Sequence, residues 1–239
     1  MYNNASEFYR AENGQPIGYF WGYKTAGIFQ NTQEIDEWRA AGNGILQSNV
    51  QPGDVRFVDR NHDGQINDKD KVNLGNGTPD FTLGLNLGFV YKGFDFSIVA
   101  NGAFGQQIVQ SYRNHTRPTP NYTTAILDRW HGEGTSNRIP RVTDSNINYQ
   151  FSDLFIQNGD YLRLSTLTLG YDFAKLFKGK AVSQARLYFQ VQNLFIITGY
   201  DGMDPEIGFG SSNNSWVSGL DYGYYPRPRT VLVGVNLKF

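Results

Sequence analysis

Residues 230–239 alternate without a break: Val231, Val233, Val235, Leu237 and Phe239 are apolar, while Gly234, Asn236 and Lys238 stand between them. A period of two puts one set of side chains on each face of a β-strand. The apolar face must lie against something other than water. The same rhythm runs through Phe81, Leu83, Leu85, Leu87 and Phe89, set against Thr82, Gly84, Asn86 and Gly88. After the turn Tyr91-Lys92-Gly93 it continues in Phe94, Phe96, Ile98 and Ala100, set against Asp95, Ser97, Val99 and Asn101. Two such runs around so short a turn predict a hairpin. Alternation resumes at Tyr161. Leu167, Leu169, Tyr171 and Phe173 share one face, but Leu162 and Leu164 have the other parity, so a bulge is expected near Ser165-Thr166. Ala185, Leu187, Phe189 and Val191 then alternate with Gln184, Arg186, Tyr188, Gln190 and Gln192.

The connections alternate short and long. Residues 91–93 and 174–183 are short; residues 105–159 and 198–228 are long, the first with a short helix expected over 123–130. Long loops on one side and short turns on the other are the habit of an outer-membrane β-barrel. Arg186, Gln190, Gln192, Asn236 and Lys238 suit a wet lumen. Aromatic girdles are expected at Tyr91, Phe94, Tyr171, Phe173 and Phe239 on one rim and at Phe104, Tyr161 and Phe195 on the other. A strand finishing on Phe239 is expected to close a wall against a first strand. Five long strands and one or two short ones fall below the roughly eight that the smallest barrels need. The expected fold is therefore all-β: an antiparallel transmembrane β-barrel wall segment with long extracellular loops. Its division is an extracellular loop region over 1–79 and barrel strands over 80–239. The alternative is a soluble, calcium-stabilised, carbohydrate-binding β-sandwich, whose strands alternate too.

Composition narrows the function. The net charge of −1 gives no general attraction to nucleic acid. Mean hydropathy is −0.47, and no apolar run is long enough for a membrane helix. Cysteine is absent, so no disulfide forms. The start Met1-Tyr2-Asn3-Asn4-Ala5 lacks a signal peptide, and Met1 is expected to be an internal or artificial start. A short helix is expected over 32–41, capped by Asn31 or Thr32, with Ile35 and Trp38 on one face and Gly42 after its end. A short strand is expected over 54–58.

One stretch carries chemistry. Residues 59–70 place oxygen-bearing side chains at Asp59, Asn61, Asp63, Gln65, Asn67 and Asp70, with Gly64 at the sixth position and Ile66 at the eighth. That is the spacing of an EF-hand calcium loop, with Asp70 where glutamate is usual. Asp59, Asn61 and Asp63 turn inward around Gly64, Gln65 offers its carbonyl, Asn67 a side chain or a water, and Asp70 closes the shell. All donors are oxygen, so Ca2+ is the expected cofactor. The loop resembles dockerin-type repeats over these residues alone. His62, His115 and His131 show no metal spacing. Asp128, His131 and Glu133 make a chance acid–base trio, and no catalytic fingerprint is present, so no enzyme is expected.

Several stretches together resemble a known family. They are Gln15-Pro16-Ile17-Gly18; Gly22-Tyr23-Lys24-Thr25-Ala26-Gly27-Ile28-Phe29; Pro52-Gly53-Asp54-Val55-Arg56-Phe57 running into the metal loop; Gly75-Asn76; and Pro79-Asp80-Phe81. Tyr161-Leu162-Arg163-Leu164, Leu167-Thr168-Leu169-Gly170-Tyr171, Gln192-Asn193-Leu194-Phe195, Gly199-Tyr200 and Gly202-Met203-Asp204-Pro205-Glu206 complete the series. In this order they are similar to the C-terminal portion of SusC/RagA-type TonB-linked outer-membrane receptors. The resemblance implies a place in the outer membrane of a Gram-negative bacterium, in a barrel of about 22 strands around a plug. It implies import of glycans or oligopeptides, a SusD-like surface lipoprotein as partner, and TonB acting through an N-terminal plug region that this stretch lacks. This stretch alone is not expected to transport.

Overall fold

The computed structural model describes residues 8–46, 48–111, 123–144, 147–174, 182–207 and 218–239. In chain order the strands are β1 (Tyr9–Arg10), β2 (Tyr19–Gly22), β3 (Thr25–Ile28), β4 (Val55–Phe57), β5 (Val72–Asn76), β6 (Phe81–Tyr91), β7 (Phe94–Phe104), β8 (Gln107–Gln110), β9 (Ile156–Asn158), β10 (Tyr161–Asp172), β11 (Gln184–Thr198), β12 (Leu220–Asp221) and β13 (Thr230–Lys238). One α-helix, α1, spans Thr32–Ala40. Its Asn31 side chain accepts from the Glu34 N–H and caps the start. Where a helix was expected over 123–130 there is a 3-10 turn, Thr124–Asp128, whose Thr123 makes no side-chain cap. The turn expected over 174–183 falls largely outside the described residues.

The chain divides into two compact units. The first gathers Met1–Thr78, Gln107–Gln157 and Ile207–Gly223. Its sheets are small: β1-β2-β5, β3-β4 and β12-β8-β9. β12 pairs with β8 in parallel, so this pairing joins distant parts of the chain. Two apolar clusters fill the unit. Phe8, Tyr9, Phe20, Val109, Phe151 and Leu220 make one. The other includes Tyr23, Phe29, Ile35, Val55, Phe57 and Ile66. Asp54 is fully buried and takes hydrogen bonds from Arg141, Asn148 and the Gln51 N–H, at 2.7, 3.0 and 2.9 Å. A buried carboxylate is tolerated because its lone pairs are taken up in this way.

The second unit, Pro79–Gln106, Asn158–Glu206 and Tyr224–Phe239, is one antiparallel sheet in the order β13-β11-β10-β7-β6. Lys92 and Gly93 have positive φ, of 48° and 93°, as a tight hairpin turn between twisted strands requires. The expected bulge is present: β10 shifts register between Leu164 and Thr166 against both neighbours. The extra residue changes parity, so Leu162 and Leu164 stay on the same face as Leu167, Leu169 and Tyr171.

One face of this sheet is apolar and bare. Leu85, Phe89, Leu169, Phe189 and Val233 are 42, 62, 48, 42 and 71 % exposed. Rim aromatics on this face pack together, Phe94 on Tyr171 at 4.4 Å and Phe81 on Phe104 at 4.8 Å between centroids. Tyr161 is an exception to the expected girdle. It stands opposite Ala103 and Thr198 on the polar face and is buried, because its parity is that of Arg163 and not of Leu162.

The polar face is tied across strands. Arg186 on β11 reaches over β10 to Asp95 on β7 in a two-pronged ion pair, Nε to Oδ1 at 2.7 Å. Gly170 stands opposite Asp95 and leaves the gap that the pair crosses; a Cβ there would meet the Arg186 Nε at 2.6 Å and collide with the Asp95 carboxylate. The Arg186 guanidinium also lies 4.8 Å from the Tyr188 ring centroid. Charge-assisted bidentate pairs are worth more than neutral hydrogen bonds. Gly170→Ala is expected to lower stability by roughly 1–3 kcal/mol. In a double-mutant cycle, Asp95→Ala is expected to add little on the Gly170→Ala background, as measured by thermal unfolding in detergent.

Candidate functional site

Residues 59–70 link β4 to β5, and their course is set from both ends. Ile66 is buried in the cluster of Tyr23, Phe29 and Phe57 and anchors the loop's apolar position. His62 and Gly64 take positive φ, 57° and 79°, which fold the chain tightly back on itself. Gly44 lies against the loop; a Cβ there would meet the Gln65 backbone carbonyl carbon at 2.5 Å.

The spacing singles out five side chains, Asp59, Asn61, Asp63, Asn67 and Asp70, and the Gln65 carbonyl; their surroundings differ. Asp59 is 1 % exposed. Its Oδ2 accepts from the N–H groups of Gly64 and Gly44 at 2.8 and 3.1 Å. Its Oδ1 is buried and takes no hydrogen bond. A carboxylate oxygen left without a donor in the interior is costly unless a cation or a water serves it. Asn61 accepts from the Asp63 N–H at 3.0 Å and donates to Asp63 Oδ2 at 2.9 Å. Asp63 Oδ1 accepts from the Gln65 N–H at 2.9 Å. The Asn61 amide, followed by the Gln65 N–H, holds the Asp63 carboxyl below the ordinary carboxylate range, so it stays ionised. Asn67 caps the short 3-10 helix Asp68–Asp70.

Asp70 is as buried as Asp59 and closes the loop through the backbone. Its Oδ1 accepts from Arg60 at 2.9 Å and its Oδ2 from Asn67 at 2.8 Å. Among the described residues no group of three His, Cys, Asp or Glu side chains converges at metal-holding distances. The donor set is of the kind a hard cation takes: the orphaned Asp59 Oδ1, and the exposed oxygens of Asn61 and Asp63, which bond one another and the Gln65 N–H. Nearby, Tyr23 is pushed up to about 12 by its burial and by the charges of Asp68 and Asp70. Lys71 pairs with Asp68 at 2.7 Å and holds that carboxyl low.

A second constellation was not foreseen as a unit. Arg163, on the polar face of β10, is 4 % exposed. Its Nη2 meets Asp204 Oδ1 at 2.6 Å, and its Nε lies 3.1 Å from Glu206 Oε2. The latter contact is close but misaligned for a hydrogen bond. Arg227 closes the network on Glu206 at 2.9 Å. Two acids and two arginines thus pin the segment after β11 to the sheet. Arg163 and the Asp204-Pro205-Glu206 run are both plain in the sequence. An arginine at an inward strand position between Leu162 and Leu164 was the signal that it needed a buried partner.

Other sequence candidates separate. His131 Nδ1 is 2.9 Å from the Arg129 carbonyl oxygen, and Glu133 accepts from Asn31. His115 lies outside the described residues.

No protein-family model matches the chain. Among curated proteins, TonB-dependent receptor P3 of Formosa agariphila is 33 % identical over 237 residues, covering 95 % of this chain and 22 % of that protein. TonB-dependent receptor SusC of Bacteroides thetaiotaomicron is 32 % identical over 197 residues, covering 82 % of this chain and 18 % of that protein. The RagAB peptide importer in its closed-closed state superposes with a TM-score of 0.70 at 22 % identity, over all of this chain and 24 % of that one. The chain spans about a fifth of the length of the curated relatives it matches.

Proposed function

The chain belongs to the SusC/RagA-type TonB-linked outer-membrane receptors, and on that premise we propose that it supplies wall and outer loops to an importer of glycans or oligopeptides. The observation that carries this reading is the sheet β13-β11-β10-β7-β6. One face is continuously apolar and uncovered, the other is polar and cross-braced, and the long connections all leave from one end. The sheet is a segment of an antiparallel membrane β-barrel wall. Leu85, Ile98, Leu169, Phe189 and Val233 meet lipid, since covering a Leu or Phe side chain stabilises by about 1.5–3 kcal/mol. Asp95, Arg186, Gln190 and Asn236 face the lumen. An uncovered apolar face of this extent argues against a β-sandwich, in which a second sheet would bury it.

The finer reading is that the barrel has about 22 strands. The residues of 107–157 and 207–223 help hold cargo and meet a SusD-like lipoprotein, and TonB acts through a plug. RagAB is a peptide importer, which supports oligopeptides as one cargo class beside glycans. In cells lacking the gene that carries these residues, uptake of a labelled oligopeptide or oligosaccharide is expected to fall to background. It is expected to fall equally when TonB is removed. Unchanged uptake of both classes would overturn the importing role.

A calcium ion in residues 59–70 completes the proposal. Asp59, Asn61, Asp63 and Asn67 with side-chain oxygens and Gln65 with its carbonyl would hold it, and Asp70 braces the loop. Such an ion supplies positive charge to the buried Asp59 Oδ1 and stiffens the link from β4 to β5. Calorimetric titration of Ca2+ is expected to show heat and a raised melting temperature in the wild type, both lost in Asp63→Ala. Identical responses of the two proteins would discard the site.

A further inference from the structure

A cavity of about 680 Å³ opens within the first unit beside the metal loop, within the size range of small-ligand sites. Lys24 and Arg60 stand on its wall. Neither cation has an ion-pair partner among the described residues. Of the two carboxylates that also line it, Asp70 is turned to the protein with both oxygens and Asp153 with its Oδ1. Asp70 holds the N–H groups of Arg60 and Asn67. Asp153 Oδ1 takes both the N–H and the hydroxyl of Thr25, at 3.1 and 2.7 Å. The cavity therefore offers two uncommitted positive groups.

It also offers one uncommitted acceptor. Gln107 lines the cavity, and its Oε1 is buried without a donor. Gly75 makes room for that amide, since a Cβ there would collide with it. A buried acceptor in want of a donor, on the wall of a cavity that two free cations also line, defines a chemistry. The complement is a carboxylate with a hydrogen-bond donor beside it. Leu74 and Ile156 add an apolar patch for the carbon skeleton.

We propose that this cavity is a subsite for a carboxylate flanked by an N–H or O–H donor. Lys24 and Arg60 hold the carboxylate, and Gln107 Oε1 accepts from the neighbouring donor. A peptide's C-terminal residue and a uronic acid both carry that pair of groups. The subsite rests on the importing role for its purpose, and it narrows the cargo to ligands with a free carboxylate.

The test uses the intact polypeptide that carries these 239 residues, in detergent, with calorimetric binding of two matched pairs. One pair is N-acetyl-trialanine and its C-terminal amide; the other is trigalacturonate and its full methyl ester. At least one acid is expected to bind about tenfold more tightly than its neutral partner. The pair that shows the difference identifies the source of the carboxylate. In the double variant Lys24→Gln/Arg60→Gln the difference is expected to vanish, while Lys92→Gln in the β6–β7 turn keeps it. Equal binding of acid and neutral ligand in both pairs overturns the subsite, and that arm needs no variant. So does a preference that survives in a double variant melting like the wild type. Uptake read in parallel separates the two claims. Import without discrimination removes the subsite alone, and discrimination without import removes the importing role alone.

Discussion

A strand in hydrocarbon has no water to bond, so every backbone N–H and C=O must find a neighbouring strand. The rest of the structure depends on that constraint. Among the described residues β7, β10 and β11 are paired on both sides, while the ladder stops at β6 and at β13. Both edge strands are long and apolar on one face, the kind of edge that soluble proteins blunt or cover. The sheet is consistent only as an interior stretch of wall whose edges meet further strands. β13 was the first sign of this in the sequence, and β6 shows that both edges need partners.

The two faces of the wall are held by different physics. The apolar face needs only alternation and lipid. The polar face is braced by pairs that cross strands: Asp95 with Arg186 over Gly170, and Arg163 with Asp204 and Glu206. Tyr188 likewise leans over Gly234, where a Cβ would collide with its ring. Glycines on the lumen side are thus gaps that longer side chains bridge. At the end where the long connections leave, the Arg163 network fixes the segment that follows β11.

Legibility followed range. The long strands, the β6–β7 turn and the bulge at Ser165 were readable because each is written in local alternation and parity. The eight short strands among the described residues of the first unit were mostly not, since one or two were expected. Strands of two to five residues carry too little pattern, and the parallel pairing of Leu220 with Val109 joins residues far apart in sequence. The tight course of residues 59–70 was readable from its spacing, because Gly64 falls where the chain must fold back with positive φ. That Asp59 Oδ1 is left without a donor, and that Asp70 is tied to backbone, depends on Gly44 and on three-dimensional closure. The carboxylate subsite was invisible for the same reason: Lys24, Arg60 and Gln107 come from three separate stretches of chain.

The central claim is that the alternating apolar face meets lipid while the opposite face does not. The chain has no cysteine, so single spin labels can be placed at will in the membrane-inserted protein through Leu85→Cys, Val233→Cys, Ser97→Cys and Asn236→Cys. Relaxation by oxygen, which concentrates in hydrocarbon, is then compared with relaxation by a water-soluble nickel complex. The account predicts that oxygen dominates at 85 and 233 and that its advantage is lost at 97 and 236. Equal access of the nickel complex to all four positions would contradict it.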